Sequence, residues 1–153
     1  MKSLIITISI HHENTLKIAK VIAKVIDAKI KKPSQIKTKE IQEYDLVGFG
    51  SGIYGAKNHK DLIHFIDNFT LVNNKKAFIF STAGITSKNK AAKDHNMLRE
   101  KIESKGYFIT DEFQCKGFNT NSFLKYLGGM NKGRPNIDDF NNAEEFALKL
   151  LKN

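Results

Sequence analysis

Ser3-Leu4-Ile5-Ile6-Thr7-Ile8-Ser9-Ile10-His11-His12-Glu13-Asn14-Thr15 is the stretch on which the fold turns. Ser3 to Ile10 is nearly all apolar and rich in β-branched residues, the pattern of a strand buried on both faces. Asn14 is a suitable helix cap. Beyond it, Thr15 to Asp27 places Ile18, Ile22, Val25 and Ile26 at helical spacing, with Lys17, Lys20 and Lys24 on the opposite face. A buried strand that leads directly into an amphipathic helix is the first half of a βαβ unit.

The same alternation continues outward. Ala28 to Lys32 reads as a short edge strand ended by Pro33, and Gln35 to Glu43 as a polar connection with weak helical character. Tyr44 to Gly50 is a second buried strand, followed by a glycine-rich loop from Gly50 to Gly55. Lys60 to Phe69 and Lys90 to Lys105 read as helices, the latter ended by Gly106. Ala77 to Ser81 and Tyr107 to Cys115 read as strands, with the loop Ser81 to Gly84 leaving the former. Lys116 to Asn136 reads as a long loop and Asp138 to Leu151 as a closing helix. Repeats, linkers and low-complexity tracts are missing, so residues 1–153 read as one domain. Five strands alternating with helices imply an α/β, doubly wound parallel sheet of order 2-1-3-4-5. In such a sheet ligands sit beyond the carboxyl ends of the strands at the switch point. The loops Ser9 to Thr15, Gly50 to Gly55 and Ser81 to Gly84 all fall there.

The bulk numbers narrow the function. The chain of 153 residues carries a net charge of +9. Arg99 and Arg134 are the only arginines among 25 Lys and Arg residues, and the lysines are spread along the chain. Base readout and bidentate phosphate recognition favour arginine, so a nucleic-acid partner is not expected. The excess is densest in residues 1–40 and reads as solvated helix faces. Cys115 is the single cysteine, which fits a reducing, cytoplasmic setting. Met1 to Ile10 is too short an apolar run to span a bilayer and lacks the features of a signal peptide, so no membrane role is expected.

The first loop has the chemistry of a phosphate site. A helix start offers unpaired N–H groups and about half a positive charge. Ser9, Asn14 and Thr15 add short side-chain donors, and His11 and His12 add donors or charge. The same residue types also make an ordinary capped helix start, and both readings stand on the residues alone. G-x-G-x-x-G and G-x-x-x-x-G-K-[ST] are both missing, so the loop is neither a Rossmann dinucleotide site nor a P-loop.

With S-I-H-H-E-N-T-L-K-I-A, Y-D-L-V-G-F-G-S-G-I-Y-G and F-I-F-S-T-A-G in this order, the chain resembles the flavodoxin family over nearly its whole length. The resemblance implies a flavodoxin-like fold and an FMN cofactor. Ser9, His11, His12, Asn14 and Thr15 would hold the FMN phosphate. Gly50 to Gly55, including Gly52, would run along the isoalloxazine, with Ile53 and Tyr54 against the ring. The Gly55 carbonyl would be free to reorient toward flavin N5. Ser81, Thr82, Ala83 and Gly84 would offer backbone groups to the pyrimidine edge. The activity implied is electron transfer with a redox protein partner; the alternative is an FMN-dependent quinone or NAD(P)H oxidoreductase. The chain departs from the family in two ways. Ala83 to Asn89 has no aromatic to cover the outer flavin face, leaving that face open or covered by Phe118, Phe123 or Tyr126. Many flavodoxins are strongly acidic, whereas this chain is basic, which implies an acidic partner and a less negative potential for the last electron.

The remaining candidates carry less. His59, His64 and His95 lack metal-ligand spacing, and no C-x-x-C exists, so no metal site is expected. Cys115 reads as a buried structural thiol. Asp45 lacks the acidic pair after strand one that a phosphoacceptor receiver needs. Gly128 to Asn136 would present Lys132 and Arg134 to an anion or a partner, or simply form a surface loop.

Overall fold

The computed structural model describes residues 1–152, with the side chain of Ser122 left aside. Five strands form the parallel core of the sheet: β1 (Ser3–Ile8), β2 (Ala28–Lys31), β3 (Leu46–Tyr54), β5 (Lys75–Ala83) and β6 (Tyr107–Lys116). Their spatial order is β2-β1-β3-β5-β6, which is the order the sequence implied once a small sixth strand is set aside. That strand, β4 (Lys57–Asn58), folds back antiparallel on the end of β3. The helices are α1 (Asn14–Ile26), α2 (Thr38–Ile41), α3 (Lys60–Asp67), α4 (Lys88–Ser104) and α5 (Ile137–Leu150). None of the described helices is long and apolar enough to cross a membrane.

The strands bury both faces because each alternates its side chains between two cores. Leu4, Ile6, Val47, Phe49 and Ile79 pack with Leu62, Ile66, Leu98 and Ile102 of α3 and α4. Ile5, Leu46, Phe78 and Phe80 pack with Ile18, Ile22, Ala143, Phe146 and Leu150 of α1 and α5. Gly48 and Gly50 fall on the second face, directly beside Phe78 and Phe80 in the register of β3 and β5. A Cβ on Gly48 would lie 2.2 Å from Phe78 Cζ, and one on Gly50 2.1 Å from Phe80 Cζ. These glycines are absent side chains that two phenylalanine rings occupy.

Three expectations change. The glycine-rich segment is not a loop: β3 continues to Tyr54, so Gly50 and Gly52 are strand residues. The turn is Gly55-Ala56, with φ of +55° and +59°, joining pairs Ile53↔Asn58 and Tyr54↔Lys57. Two consecutive positive φ angles are what a two-residue hairpin of right-handed twist requires. Ser81, Thr82 and Ala83 likewise belong to β5 rather than to a loop, because β6 pairs with them. The segment after β6 is also structured. It carries a 3-10 stretch at Ser122–Leu127 and a bridge between Asn119 and Met130.

Gly48→Ala should destabilise the fold by about 1–3 kcal/mol through overpacking against Phe78, seen as a lower urea midpoint at unchanged slope. Gly55→Ala, where an added Cβ meets nothing within 4 Å but φ is positive, should cost less, about 1 kcal/mol.

Candidate functional site

β1, β3 and β5 end side by side, and the segments leaving them converge. Asn14 is the first residue of α1 and does not cap it; Glu13 stands at the cap position with no side-chain cap. Ser9 supplies the capping bond instead, its Oγ accepting from the Leu16 N–H at 3.2 Å. His12 and Glu13 have φ of +53° and +54°, so the chain reverses in the left-handed region before entering the helix. This frees the Asn14 side chain to reach across, and its Nδ2 donates to the Phe118 carbonyl at 2.8 Å. Asn14 Oδ1 is buried and has no partner among the described residues.

A cleft with about 350 Å³ of unfilled space, open to solvent, sits on this edge. Of the residues singled out in the sequence, His11, Asn14, Gly52, Ile53, Tyr54, Thr82, Ala83 and Gly84 line it together. Ser9, His12, Thr15, Gly55 and Ser81 do not. Ser9 is the cap just described. His12 stacks on Phe118 with ring centroids 4.4 Å apart, and its Nε2 lies 2.8 Å from Thr120 Oγ1. Thr15 and Thr82 share a buried hydroxyl–hydroxyl bond of 2.8 Å that ties α1 to β5. Gly55 is the hairpin turn.

Gly117, Phe118, Asn119 and Asn121 complete the lining, and of these the sequence pointed only to Phe118. They come from the segment after β6, which is clamped over the edge. The Gly117 N–H donates to the Ala83 carbonyl at 3.0 Å, and Asn131 Nδ2 donates to the Gly84 carbonyl at 2.7 Å. A Cβ at Gly117 would lie 2.8 Å from Asn14 Nδ2 and 3.2 Å from Thr82 Cβ, so the clamp closes only over a glycine. Phe123 and Tyr126, the other proposed covers, are 67% and 80% exposed and do not line the cleft. Tyr54 and Phe118 are the cleft's aromatic walls. Partial burial raises the Tyr54 phenol above its ordinary range.

Beneath this edge, on the α4 side, lies a buried polar chain that the sequence did not reveal. Ser81 Oγ is 2.7 Å from His95 Nε2, and His95 Nδ1 is 2.8 Å from Glu112 Oε2. Arg99 grips both oxygens of Glu112, with Nη2 donating to Oε2 at 2.9 Å. Gln114 Nε2 donates to Ser81 Oγ and to Asp94 Oδ2, and Lys90 Nζ pairs with Asp94. The Glu112 carboxylate can only accept, so His95 Nδ1 donates to it, and in the neutral ring Nε2 accepts the Ser81 hydroxyl hydrogen. The Ser-His-Glu line has the connectivity of a nucleophilic triad. Ser81 and His95 are fully buried, however, so no substrate reaches the hydroxyl; the chain fixes the end of β5 to β6 and α4. Burial pushes the Glu112 carboxyl up, but the hydrogen bonds from His95 and Arg99 and the Arg99 charge outweigh it and hold it down at about 2. Cys115 is buried, and burial followed by the nearby Asp139 pushes its thiol above the ordinary range.

Comparison with known proteins agrees with this geometry. Residues 4–117 match the family model described as a flavodoxin domain. An uncharacterised protein of Methanocaldococcus jannaschii is 49% identical over 153 residues, covering 100% of both chains. A flavodoxin from the domain Archaea superposes with a TM-score of 0.73 at 15% identity, covering 99% of this chain and 97% of that one. Oxidised Flavodoxin 2 from Bacillus cereus superposes with a TM-score of 0.72 at 17% identity, covering 99% of each chain. The chain belongs to the flavodoxin domain family.

The Glu112 carboxyl lies below its unfolded value, so its stabilisation is full above pH 4.5 and is lost as pH falls through about 2. Glu112→Gln should therefore cost about 2 kcal/mol at pH 7. The gap to the parent protein should narrow between pH 4.5 and 2 in urea titrations.

Proposed function

We propose that this flavodoxin-domain protein holds FMN in the cleft at the β1, β3 and β5 ends and serves as a cytoplasmic electron carrier. The observation that supports this most directly is the convergence of four separate segments on one cleft, with an orphaned acceptor, Asn14 Oδ1, buried in its wall. Ribityl hydroxyls are donors that satisfy such an acceptor, and family membership makes a flavin the expected ligand. Bound there, FMN would supply one- and two-electron transfer.

The chain's own residues have distinct tasks in this reading. His11, with the Thr15 N–H at the start of α1, would meet the phosphate. Asn14 would hold the ribityl chain while keeping its bond to Phe118. Gly52, Ala83 and Gly84 leave room for a flat ring to approach the backbone. Tyr54 and Phe118 would bracket that ring and exclude water, which fits a carrier with a covered cofactor. Gly55, already at positive φ, stands where its peptide is free to reorient. Ser9, Thr15 and Ser81 support this wall through the bonds described above, and His12 holds the Phe118 segment.

The net charge of +9 favours an acidic redox partner and a reduction potential that responds to ionic strength. A second reading, direct FMN-dependent reduction of a quinone or oxidation of NAD(P)H, is favoured by a wider opening that shares Tyr54 with the cleft.

Absorbance titration with FMN tests the first reading. Saturable binding at low micromolar FMN is expected. Riboflavin should bind at least about tenfold more weakly, since it loses charge-assisted hydrogen bonds to phosphate. Asn14→Ala should weaken FMN by roughly tenfold. No FMN binding at micromolar concentration overturns the proposal. Rapid mixing with NADPH separates the two activities: direct, fast bleaching of the flavin indicates the oxidoreductase, and its absence the carrier.

A further inference from the structure

The wider opening beside the cleft has a lining that selects a ligand class of its own. It holds about 1030 Å³ of unfilled space, open to solvent, and shares the side chains of His11 and Tyr54 with the first cleft. Ile10, Ile63 and Met97 give it apolar walls. Ile10 is 54% exposed and Met97 37%, so apolar surface at its mouth faces water. Its remaining lining includes Lys57, Lys60 and His64, and no carboxylate. Asp61 lies 3.8 Å from His59 Nδ1 but is not part of the lining, and its side chain is 63% exposed.

We propose that this opening binds a small planar aromatic anion bearing a hydroxyl beside its acidic group. The flat apolar body fits between Ile10, Ile63 and Met97 and extends an aromatic group already present, Tyr54 against His59 edge-on at 5.4 Å. The acidic group is met by Lys57 and Lys60, a cationic rim without a competing acid. The hydroxyl is called for by Asn58. This residue is 3% exposed and lines the opening. Its Nδ2 is spent on Ser51 Oγ at 3.1 Å, while its Oδ1 has no partner among the described residues. A buried acceptor left without a donor is destabilising, and a ligand hydroxyl that donates to it relieves that cost. His59 Nδ1 accepts from the Asp61 N–H at 3.2 Å, so in the neutral ring the hydrogen sits on Nε2 and adds a second donor toward the anion. The polar part of the site comes from β4 and the start of α3, while His11 and Tyr54 are the side chains it shares with the first cleft.

Calorimetric titration of the full chain with 1-hydroxy-2-naphthoate, against its neutral carboxamide, tests the assignment. The carboxylate should bind about tenfold tighter than the amide. The exposed double variant Lys57→Glu/Lys60→Glu should remove that preference, weakening the carboxylate about tenfold and leaving the amide unchanged. Thermal melting checks that the variant is folded. Amide NMR shifts should centre on residues 57–64 and Met97, with and without saturating FMN. Equal binding of acid and amide, an unchanged affinity in the double variant, or no binding at millimolar probe overturns the proposal. So does displacement of the probe by FMN with shifts at Thr82, Gly84 and Phe118, which would place the probe in the first cleft. Probe binding by a protein that refuses FMN would instead sink the flavin reading and leave this one standing.

Discussion

Phe78 and Phe80 of β5 lie in the space that side chains at Gly48 and Gly50 of β3 would fill, and the functional edge of the molecule depends on that fit. The interlock permits one register between the two central strands. A shift by one residue would drive Phe49 or Val47 into the rings and turn every side chain to the opposite core. With the register fixed, Gly52 stands opposite Thr82 at the carboxyl edge, and two of the segments that line the cleft emerge level with one another. The cleft is a consequence of core packing some distance below it.

The edge is then braced from three sides. Thr15 and Thr82 join α1 to β5 through one hydroxyl pair. The Ser81, His95, Glu112 and Arg99 chain joins β5 to α4 and β6. Asn14 and Asn131 hold the segment after β6 across the top. Burying charge is expensive unless it is paired and hydrogen-bonded, and Glu112 meets His95 and Arg99 with both of its oxygens. The orphaned atoms around the openings, Asn14 Oδ1 and Asn58 Oδ1, are acceptors. Among the described residues three side-chain amide oxygens are buried without a partner, Asn14 Oδ1, Asn58 Oδ1 and Gln114 Oε1, and the first two belong to residues that line the two openings.

The two openings differ in character. The first is narrow, glycine-lined and walled by Tyr54 and Phe118; the second is wider, apolar and rimmed by lysine. Tyr54 belongs to both. Tyr54, on the last residue of β3, and His11 are the side chains whose movement would alter both openings.

Alternating buried strands and amphipathic helices are local patterns, so the sequence alone determined the α/β class, the strand order and which segments meet at the carboxyl edge of the sheet. Period-two burial in Ser3–Ile8 and helical spacing in Ile18, Ile22 and Ile26 need no distant partner to be read. Asn14, Thr82 and Gly84 were legible for the same reason: they sit immediately after recognisable strands. What the tertiary structure decided involves residues far apart in the chain. The Gly55-Ala56 turn depends on whether β3 has a partner for two more residues. The Ser81, His95 and Glu112 chain joins three elements with no fixed spacing, so no motif marks it. Gly117 and Asn119 gained their place through bonds to distant residues, among them the one from Asn14 to a carbonyl 104 positions away. Local hydrophobic periodicity fixes elements; which polar atoms are left without partners is settled only when those elements meet.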